Sequence, residues 1–313
     1  MQTGAATSTK GSQITQLIDQ VSTIIVGKRE QVTLSVICLL ASGHLLIEDV
    51  PGVGKTTLSQ ALARSLGLSF SRIQFTSDLL PSDLIGVSIY ERQKEAFVFH
   101  AGPVFAQVLL ADEINRAGPR TQSALLEAME ERQVSVEGVT RPLPSPFFVI
   151  ATQNPSDQLG THPLPESQLD RFAMRLSLGY PDPAAERALL IGEDRRAGLQ
   201  GLRPVISPAE WQQWQDRVEQ VHVADSLLDY LQALITATRD GRWFAQGLSP
   251  RAGLSLLKLA RARAMVLGRN HVSPEDIQVL WVPAVAHRLL PLAQSGRSAA
   301  AQARALLEAT QVP

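Results

Sequence analysis

The sequence predicts an α/β protein in which helices cover a parallel sheet, followed by a smaller, all-α domain. Three observations lead there. Between Leu45 and about Leu178, short apolar runs alternate with segments of helical period. The runs themselves ("HLLIE", "VLLAD", "FFVIAT") are nearly continuous in apolar residues, as strands are when both faces of a sheet are covered. After "GYPDPAAE" no strand-like run remains, and the long segments are helical in period. The 313 residues are enough for two domains with separate cores. The spacing sets the α/β domain at 14–182 and the helical domain at 183–313. Residues 1–13, "MQTGAATSTKGSQ", are small and polar; they are expected to be disordered and have no apolar segment of the kind a signal peptide needs.

Taken in order, "VTLSVICLL" predicts a helix ending at Leu40, a turn follows at Ser42–Gly43, and "HLLIE" begins the sheet. In "TTLSQALARSLG" the residues Leu58, Ala61, Leu62 and Leu66 recur at helical spacing, and Gly67 stops the helix. "FSRIQF" and "VLLAD" are the next strands, "TQSALLEAMEE" is a helix, and "FFVIAT" is a further strand. Alternation in "AFVF" predicts a hairpin or extended piece, and Val134 and Val136 alternate before a turn at Glu137–Gly138. In the helical half, Ser207, Pro208 and Glu210 form a capping-box signature that recurs from Ser273 to Asp276. "DSLLDYLQALITATRD" and "SPRAGLSLLKLARARAMVLG" fill the space between them with helix.

Composition narrows the function. The hydrophobic share is 44%, and the formal net charge of -1 supplies no global basic field for nucleic acid or an anionic membrane. "VTLSVICLLASGHLLI" is interrupted by Ser42, Gly43 and His44 and makes a poor membrane span. The one cysteine, Cys38, excludes an intrachain disulfide and fits a reducing compartment, so a cytoplasmic location is expected. His44, His100 and His162 lack metal-ligand spacing.

The chemistry is concentrated in "EDVPGVGKTT". Gly54-Lys55-Thr56 matches the end of the phosphate-loop pattern, with a strand before it and a helix after it. Pro51, Gly52, Val53, Gly54, Lys55, Thr56 and Thr57 are therefore expected to bind a nucleotide. Amides from Gly52 to Thr57 can converge on phosphate oxygens, Lys55 can reach the β- and γ-phosphates, and the Thr56 hydroxyl can ligate Mg²⁺. The first glycine of the pattern is replaced by Asp49, which begins the loop. "VLLADE" ends a neighbouring strand in Asp112, suited to the Mg²⁺ shell, and Glu113, suited to polarising water. Asn154, after "FFVIATQ", can orient that water, or Asn-Pro can simply start a turn. Arg171 in "QLDRF" can complete a neighbouring subunit's site, or pair with Asp170 on the surface. Arg251, just inside a helix of the second domain, can carry a charge to the nucleotide, or remain an ordinary solvated arginine. Lys258, Arg261, Arg263 and Arg269 allow a nucleic-acid stripe, although no aromatic residues interleave.

The segments "EDVPGVGKTT", "VLLADEINRAGPRTQSALLEAMEERQVS", "ATQNP", "LPESQLDRF" and "LSPRAG" closely resemble the MoxR group of AAA+ ATPases, from about Ile25 to the end of the helical domain. The resemblance implies a P-loop AAA+ domain with an α-helical lid, ATP and Mg²⁺ as ligands, and ATP hydrolysis. It also implies a homo-oligomeric, commonly hexameric ring. In its terms Lys55 and Thr56 belong to Walker A and Asp112 and Glu113 to Walker B; Asn154 looks like sensor 1, Arg171 the arginine finger and Arg251 sensor 2. Members resemble chaperones that mature, activate or load metal into other protein complexes, often with a partner carrying a von Willebrand factor A-type domain. "SDLIGVSIYERQKEAFVFHAGPVFAQ" looks like the insert this branch carries in helix 2, and "RQVSVEGVTRPL" like the hairpin before sensor 1. Both would face the ring's axis or top. Related alternatives are a nucleic-acid motor and a magnesium-chelatase-like subunit.

Replacing Lys55 by Ala removes the cation facing the β- and γ-phosphates. The expected result is loss of measurable affinity for a fluorescent ATP analogue with the fold retained; unchanged affinity would remove the phosphate-loop assignment.

Overall fold

The computed structural model describes residues 5–154, 160–191, 195–293 and 296–312. Two helices, α1 (Ala5–Ile24) and α2 (Arg29–Leu40), precede the first strand, β1 (His44–Glu48). The phosphate loop leads into α3 (Lys55–Ser65), then come β2 (Phe70–Gln74) and the short α4 (Pro81–Ile85). A hairpin of β3 (Gly86–Glu91) and β4 (Ala96–Ala101) interrupts the alternation before β5 (Val108–Asp112) and α5 (Pro119–Glu131). A second hairpin, β6 (Gln133–Val136) and β7 (Val139–Pro142), precedes β8 (Phe148–Gln153), the short α6 (Glu166–Leu169) and β9 (Phe172–Leu176). The remainder is helical: α7 (Pro183–Leu190), α8 (Arg195–Gly201), α9 (Pro208–Val218), α10 (Asp225–Arg239), α11 (Pro250–Val266), α12 (Pro274–Val285) and α13 (Ala299–Ala309). One short ladder of β10 (Phe244–Gln246) and β11 (Leu290–Pro291) lies among them.

Five strands form one parallel sheet in the order β2-β5-β8-β1-β9. Its apolar strands bury both faces. Leu45, Ile47, Leu110 and Ile150 join the cluster made with α1, α2, α3 and the later helices, while Leu46, Leu109, Val149 and Ala151 face α5 and the hairpins. The first cluster continues without a break into the C-terminal helices through Leu256, Leu259, Leu280 and Trp281. The helical lid therefore closes on one side of the sheet.

The capping signatures form as expected. The Ser207 hydroxyl accepts from the Glu210 amide, Ser249 caps α11 by accepting from Ala252, and the Asp276 carboxylate accepts from the Ser273 amide. Glu137 and Gly138 take φ of 54° and 77°, the left-handed pair of a two-residue hairpin turn. Three features go beyond what the sequence predicts. Residues 5–13, expected to be disordered, continue α1, which buries Ile14 and Leu17 further along. "FAMRL" forms β9, although its single arginine and short length do not set it apart as a strand. The β10–β11 ladder is too short to leave a period in the sequence. Among the described residues no helix is long and apolar enough to cross a membrane.

His44 opens β1 and is buried beneath β8 and α5. Its Nδ1 accepts from the Val149 amide at 2.9 Å, so Nε2 carries the proton and donates to the Met129 carbonyl at 3.3 Å. Burial pushes its pKa from 6.5 down to about 4. The unfolded chain therefore binds a proton between these values that the native state refuses. Stability is full above pH 6.5 and falls as the pH drops toward 4, by roughly 3 kcal/mol for this one ring. Urea unfolding at pH 7.5 and 4.5 is expected to show this loss, and His44→Gln, which keeps an acceptor and a donor, is expected to shrink it. Identical losses in both proteins would mean that His44 ionises inside the fold.

Candidate active site

The phosphate loop leaves the C-terminal end of β1. Gly54 caps α3 in the left-handed region at φ 98°, and Gly52 stands at φ 86°; both are conformations that side chains resist. A Cβ at either glycine would meet nothing within 4 Å, so the loop opens onto free space. Lys55 starts α3, and the first-turn amides of that helix have no partners within it. Its place in the loop suggests that Lys55 faces solvent, but the side chain is half-buried and its Nζ folds back to donate to the Asp49 carbonyl at 2.7 Å. Burial lowers its pKa, opposed by the charges of Asp112, Asp49 and Glu113.

Asp49, in place of the motif's first glycine, turns its side chain away from the loop's opening. Oδ1 accepts from the Val50 amide at 2.9 Å; Oδ2 accepts from the Gly179 amide at 2.7 Å and the Ser177 hydroxyl at 3.0 Å. The carboxylate thus ties the root of the loop to the chain leaving β9. A glycine could not make this connection.

Asp112 and Glu113 stand at the end of β5. The Thr152 hydroxyl, fully buried on β8, donates to Asp112 Oδ1 at 2.5 Å and accepts from the Glu113 amide at 2.9 Å, which fixes both residues at once. Asp112 Oδ2 accepts from Arg72 at 2.7 Å. Glu113 takes a left-handed φ of 55°, and its Oε2 accepts from Gln74 at 2.9 Å and pairs with Arg116 at 3.0 Å. Asn154 is buried one residue beyond β8, where Gln153 lies level with Glu48 and its carbonyl accepts from the Asp49 amide. The structure thus gathers the phosphate loop, Asp112, Glu113 and Asn154 along one edge of the sheet. A neighbouring cavity of about 290 Å³ is walled by Ile25, Val26, Tyr180, Pro181 and Leu190 together with the charged Lys28 and Glu186, and reaches Gly52 and Gly54; largely apolar walls with a polar rim beside a phosphate loop suit a purine ring.

Arg171 and Arg251 are not at this edge. Both line a cleft of about 380 Å³ at the N-terminal end of β1, beside Gly43 and His44. The five residues of β1 separate the two ends by about 13 Å. Arg171 does not pair with Asp170; it and Arg251 both form ion pairs with Glu130, and Arg171 also donates to the Leu126 carbonyl at 3.1 Å. Arg132, Lys258 and Arg288 add further positive charge, against which stand Glu130 and Asp170. Arg288 is buried, with its pKa pushed down to about 10 by burial. It donates to the Phe172 carbonyl at 2.7 Å and the Asp170 carbonyl at 3.3 Å, gripping the backbone on either side of Arg171.

Sequence reasoning missed Arg72, Thr152, Glu130, Arg288 and the apolar walls. Glu130 and Thr152 stand inside segments that carry the family resemblance, yet neither shows its partner there. The others carry no local pattern, because each acts across the sheet or between the two halves of the chain.

A parallel sheet with a phosphate loop after its β1 strand, an acidic pair on a nearby strand and a helical lid defines an AAA-type ATPase. The family described as ATPase family associated with various cellular activities (AAA) matches residues 44–174, and the AAA lid domain matches 236–309. The chain is 45% identical over 299 residues to YeaC of Bacillus subtilis, covering 95% of this chain and 93% of that one. It is 43% identical over 284 residues to Chaperone MoxR1 of Mycobacterium tuberculosis, covering 87% and 74%. A solved structure of a Cytophaga hutchinsonii protein assigned as an ATPase superposes with a TM-score of 0.90 at 35% identity, over 98% of this chain and 97% of that one. The chain belongs to the MoxR family of AAA+ ATPases.

Asp49→Gly restores the glycine of the motif and strands the donors of Val50, Ser177 and Gly179. Urea unfolding is expected to show a loss of about 2 kcal/mol, and nucleotide titration a weaker affinity. A variant as stable and as tight as the natural chain would mean that the Asp49 contacts do nothing for the loop.

Proposed function

We propose that this protein hydrolyses ATP with Mg²⁺ at sites shared between neighbouring copies of itself in a ring, commonly of six, and uses the cycle to remodel client proteins. One observation carries the reading: the phosphate loop and the arginines Arg171 and Arg251 stand at opposite ends of β1. One chain holds the parts that bind and attack the nucleotide. Its arginines face away from that nucleotide and are available to another.

Within this reading, Gly52 to Thr57 cradle the phosphates and Lys55 exchanges the Asp49 carbonyl for phosphate oxygens. Glu113 polarises the attacking water and Asn154 orients it. Thr56 and Asp112 are hard oxygen donors, which fits Mg²⁺. No described group of three or more acidic, histidine or cysteine side chains could hold a metal, so phosphate oxygens and water would complete its shell. Bound Mg²⁺ supplies charge neutralisation at the phosphates. Arg171 and Arg251 of the adjoining copy answer the negative charge that develops on the γ-phosphate, and the net positive cleft around them favours such a polyanion.

A protein client is favoured over nucleic acid because the basic residues of α11 and the loop after it are already engaged. Lys258 and Arg261 pair with Glu219, Arg263 pairs with Glu275 and Asp276, and Arg269 pairs with Asp276. The β3–β4 hairpin instead exposes Ile89, Tyr90 and Phe97, and Arg141 of the second hairpin lies 3.9 Å over Phe99 of the first. The paired hairpins are the candidate client-facing surface. Maturation, activation or metal loading of a client complex, with a von Willebrand factor A-type partner, is the role the family implies. Buried Cys38, its thiol pushed up to about 12, is inert and suits the cytoplasm.

Mixing variants tests the shared site. Glu113→Gln is expected to bind ATP and hydrolyse it at least roughly a hundredfold more slowly; Arg171→Ala is expected to bind normally and turn over slowly. Mixed together they are expected to regain activity, because some interfaces join an intact Glu113 to an intact Arg171. Wild-type specific activity is expected to rise with protein concentration. No recovery at any ratio despite proven co-assembly, with concentration-independent wild-type activity, would leave a self-contained ATPase.

A further inference from the structure

Arg171 and Arg251 come from different halves of the chain, one before β9 and one in the first turn of α11, yet their guanidinium groups meet at a single carboxylate. Glu130 Oε2 takes Arg171 and Glu130 Oε1 takes Arg251. Two like charges do not converge unaided: burial and then the charge of Arg251 lower the pKa of Arg171, opposed by Glu127 of the same helix as Glu130. Local chemistry does not account for Glu130 either. It lies in the last turn of α5, where the helix dipole disfavours negative charge, and its ion pairs are with Arg171 and Arg251 rather than with the C-cap Arg132 beside it. The carboxylate is accounted for by what it binds. Its side chain is 30% exposed, as is 27% of Arg171 and 51% of Arg251, so the trio lies at the cleft's mouth rather than in the core.

We propose that Glu130 is a positioning residue that holds Arg171 and Arg251 side by side, one oxygen to each, as a two-pronged cationic unit presented to the neighbouring copy's γ-phosphate. This rests on the reading that both arginines serve a neighbour. The remaining contacts fit a unit set before the phosphate arrives. The Leu126 carbonyl steadies Arg171 from the same helix as Glu130, Ser249 ties the start of α11 to Asp170 at 2.9 Å, and Arg288 grips the carbonyls flanking Arg171. Donors fixed in advance need no reorganisation in the transition state, whereas two long side chains released by loss of Glu130 would repel and disperse.

Glu130→Gln removes the charge and leaves only one acceptor oxygen. Steady-state hydrolysis is expected to show kcat lowered about tenfold to a hundredfold and KM for ATP changed less than about twofold, because the nucleotide sits on the other side of the chain. Mixed with Glu113→Gln, the variant is expected to exceed the summed activities of the two proteins, since its own Glu113 then faces an intact arginine pair. Mixed with Arg171→Ala it is expected to gain nothing, both defects lying on the same side of the interface. Turnover at or above the wild-type rate would overturn the proposal and make Glu130 idle or a restraint on the arginines. So would failure of the Glu130→Gln and Glu113→Gln mixture to gain while the Arg171→Ala and Glu113→Gln mixture does. If that last mixture also fails, the shared-site reading falls and Glu130 falls with it. Should Glu130→Gln melt early, Glu130→Ala in its place in the same two mixtures separates the same outcomes.

Discussion

β1 is hydrogen-bonded in parallel on both sides, to β8 through Leu45↔Ile150 and Ile47↔Thr152, and to β9 through His44↔Phe172 and Leu46↔Arg175. This common direction sorts the molecule's chemistry into two ends. At the C-terminal ends of the strands stand the phosphate loop after β1, Asp112 and Glu113 after β5, and Asn154 after β8. At the N-terminal ends stand His44 and, just before β9, Arg171. An antiparallel partner on either side of β1 would have mixed the two sets. The shared polarity keeps the phosphate loop and its acidic pair at one end of the sheet and the arginine cleft at the other.

Polar atoms inside the sheet fix these ends in place. The Thr152 hydroxyl locks the β5 terminus by serving Asp112 and Glu113 together, and Asp49 locks the loop's root to the exit of β9. A buried carboxylate is tolerable because it accepts several donors at once. His44 performs the same task at the opposite end as a neutral ring, joining β8 to α5. Each lock crosses between elements, so the strand ends are held against one another.

The lid is bound to the arginine end by polar contacts and to the rest by an unbroken apolar cluster. Arg288 and Ser249 hold the segment before β9, and Arg251 joins Arg171 on Glu130. A shift of α11 would carry Arg251 with it and pull on the backbone around Arg171. Lid position and arginine position are thus mechanically linked.

The amino-acid sequence by itself determined the fold class, the phosphate loop, the acidic pair and the helix caps. Each of these is local: an apolar run between turn residues, "GVGKTT" between strand and helix, a serine three residues before an acid. The same locality made Glu137–Gly138 legible as a hairpin turn. Only the tertiary structure decided which groups work together. Glu130 and Arg251 are 121 positions apart, and nothing in either neighbourhood announces the other. "QLDRF" suggests Asp170 as the partner of Arg171, yet the side chain turns to α5, where a carboxylate and a helix carbonyl offer two acceptors. Lys55 belongs to a loop open to solvent, yet the loop's own carbonyl holds it. Asp49 departs from the motif because β9 lies behind it and supplies donors that only a side chain can meet. The sequence specifies chemistry one segment at a time, whereas partnership depends on how the sheet stacks those segments.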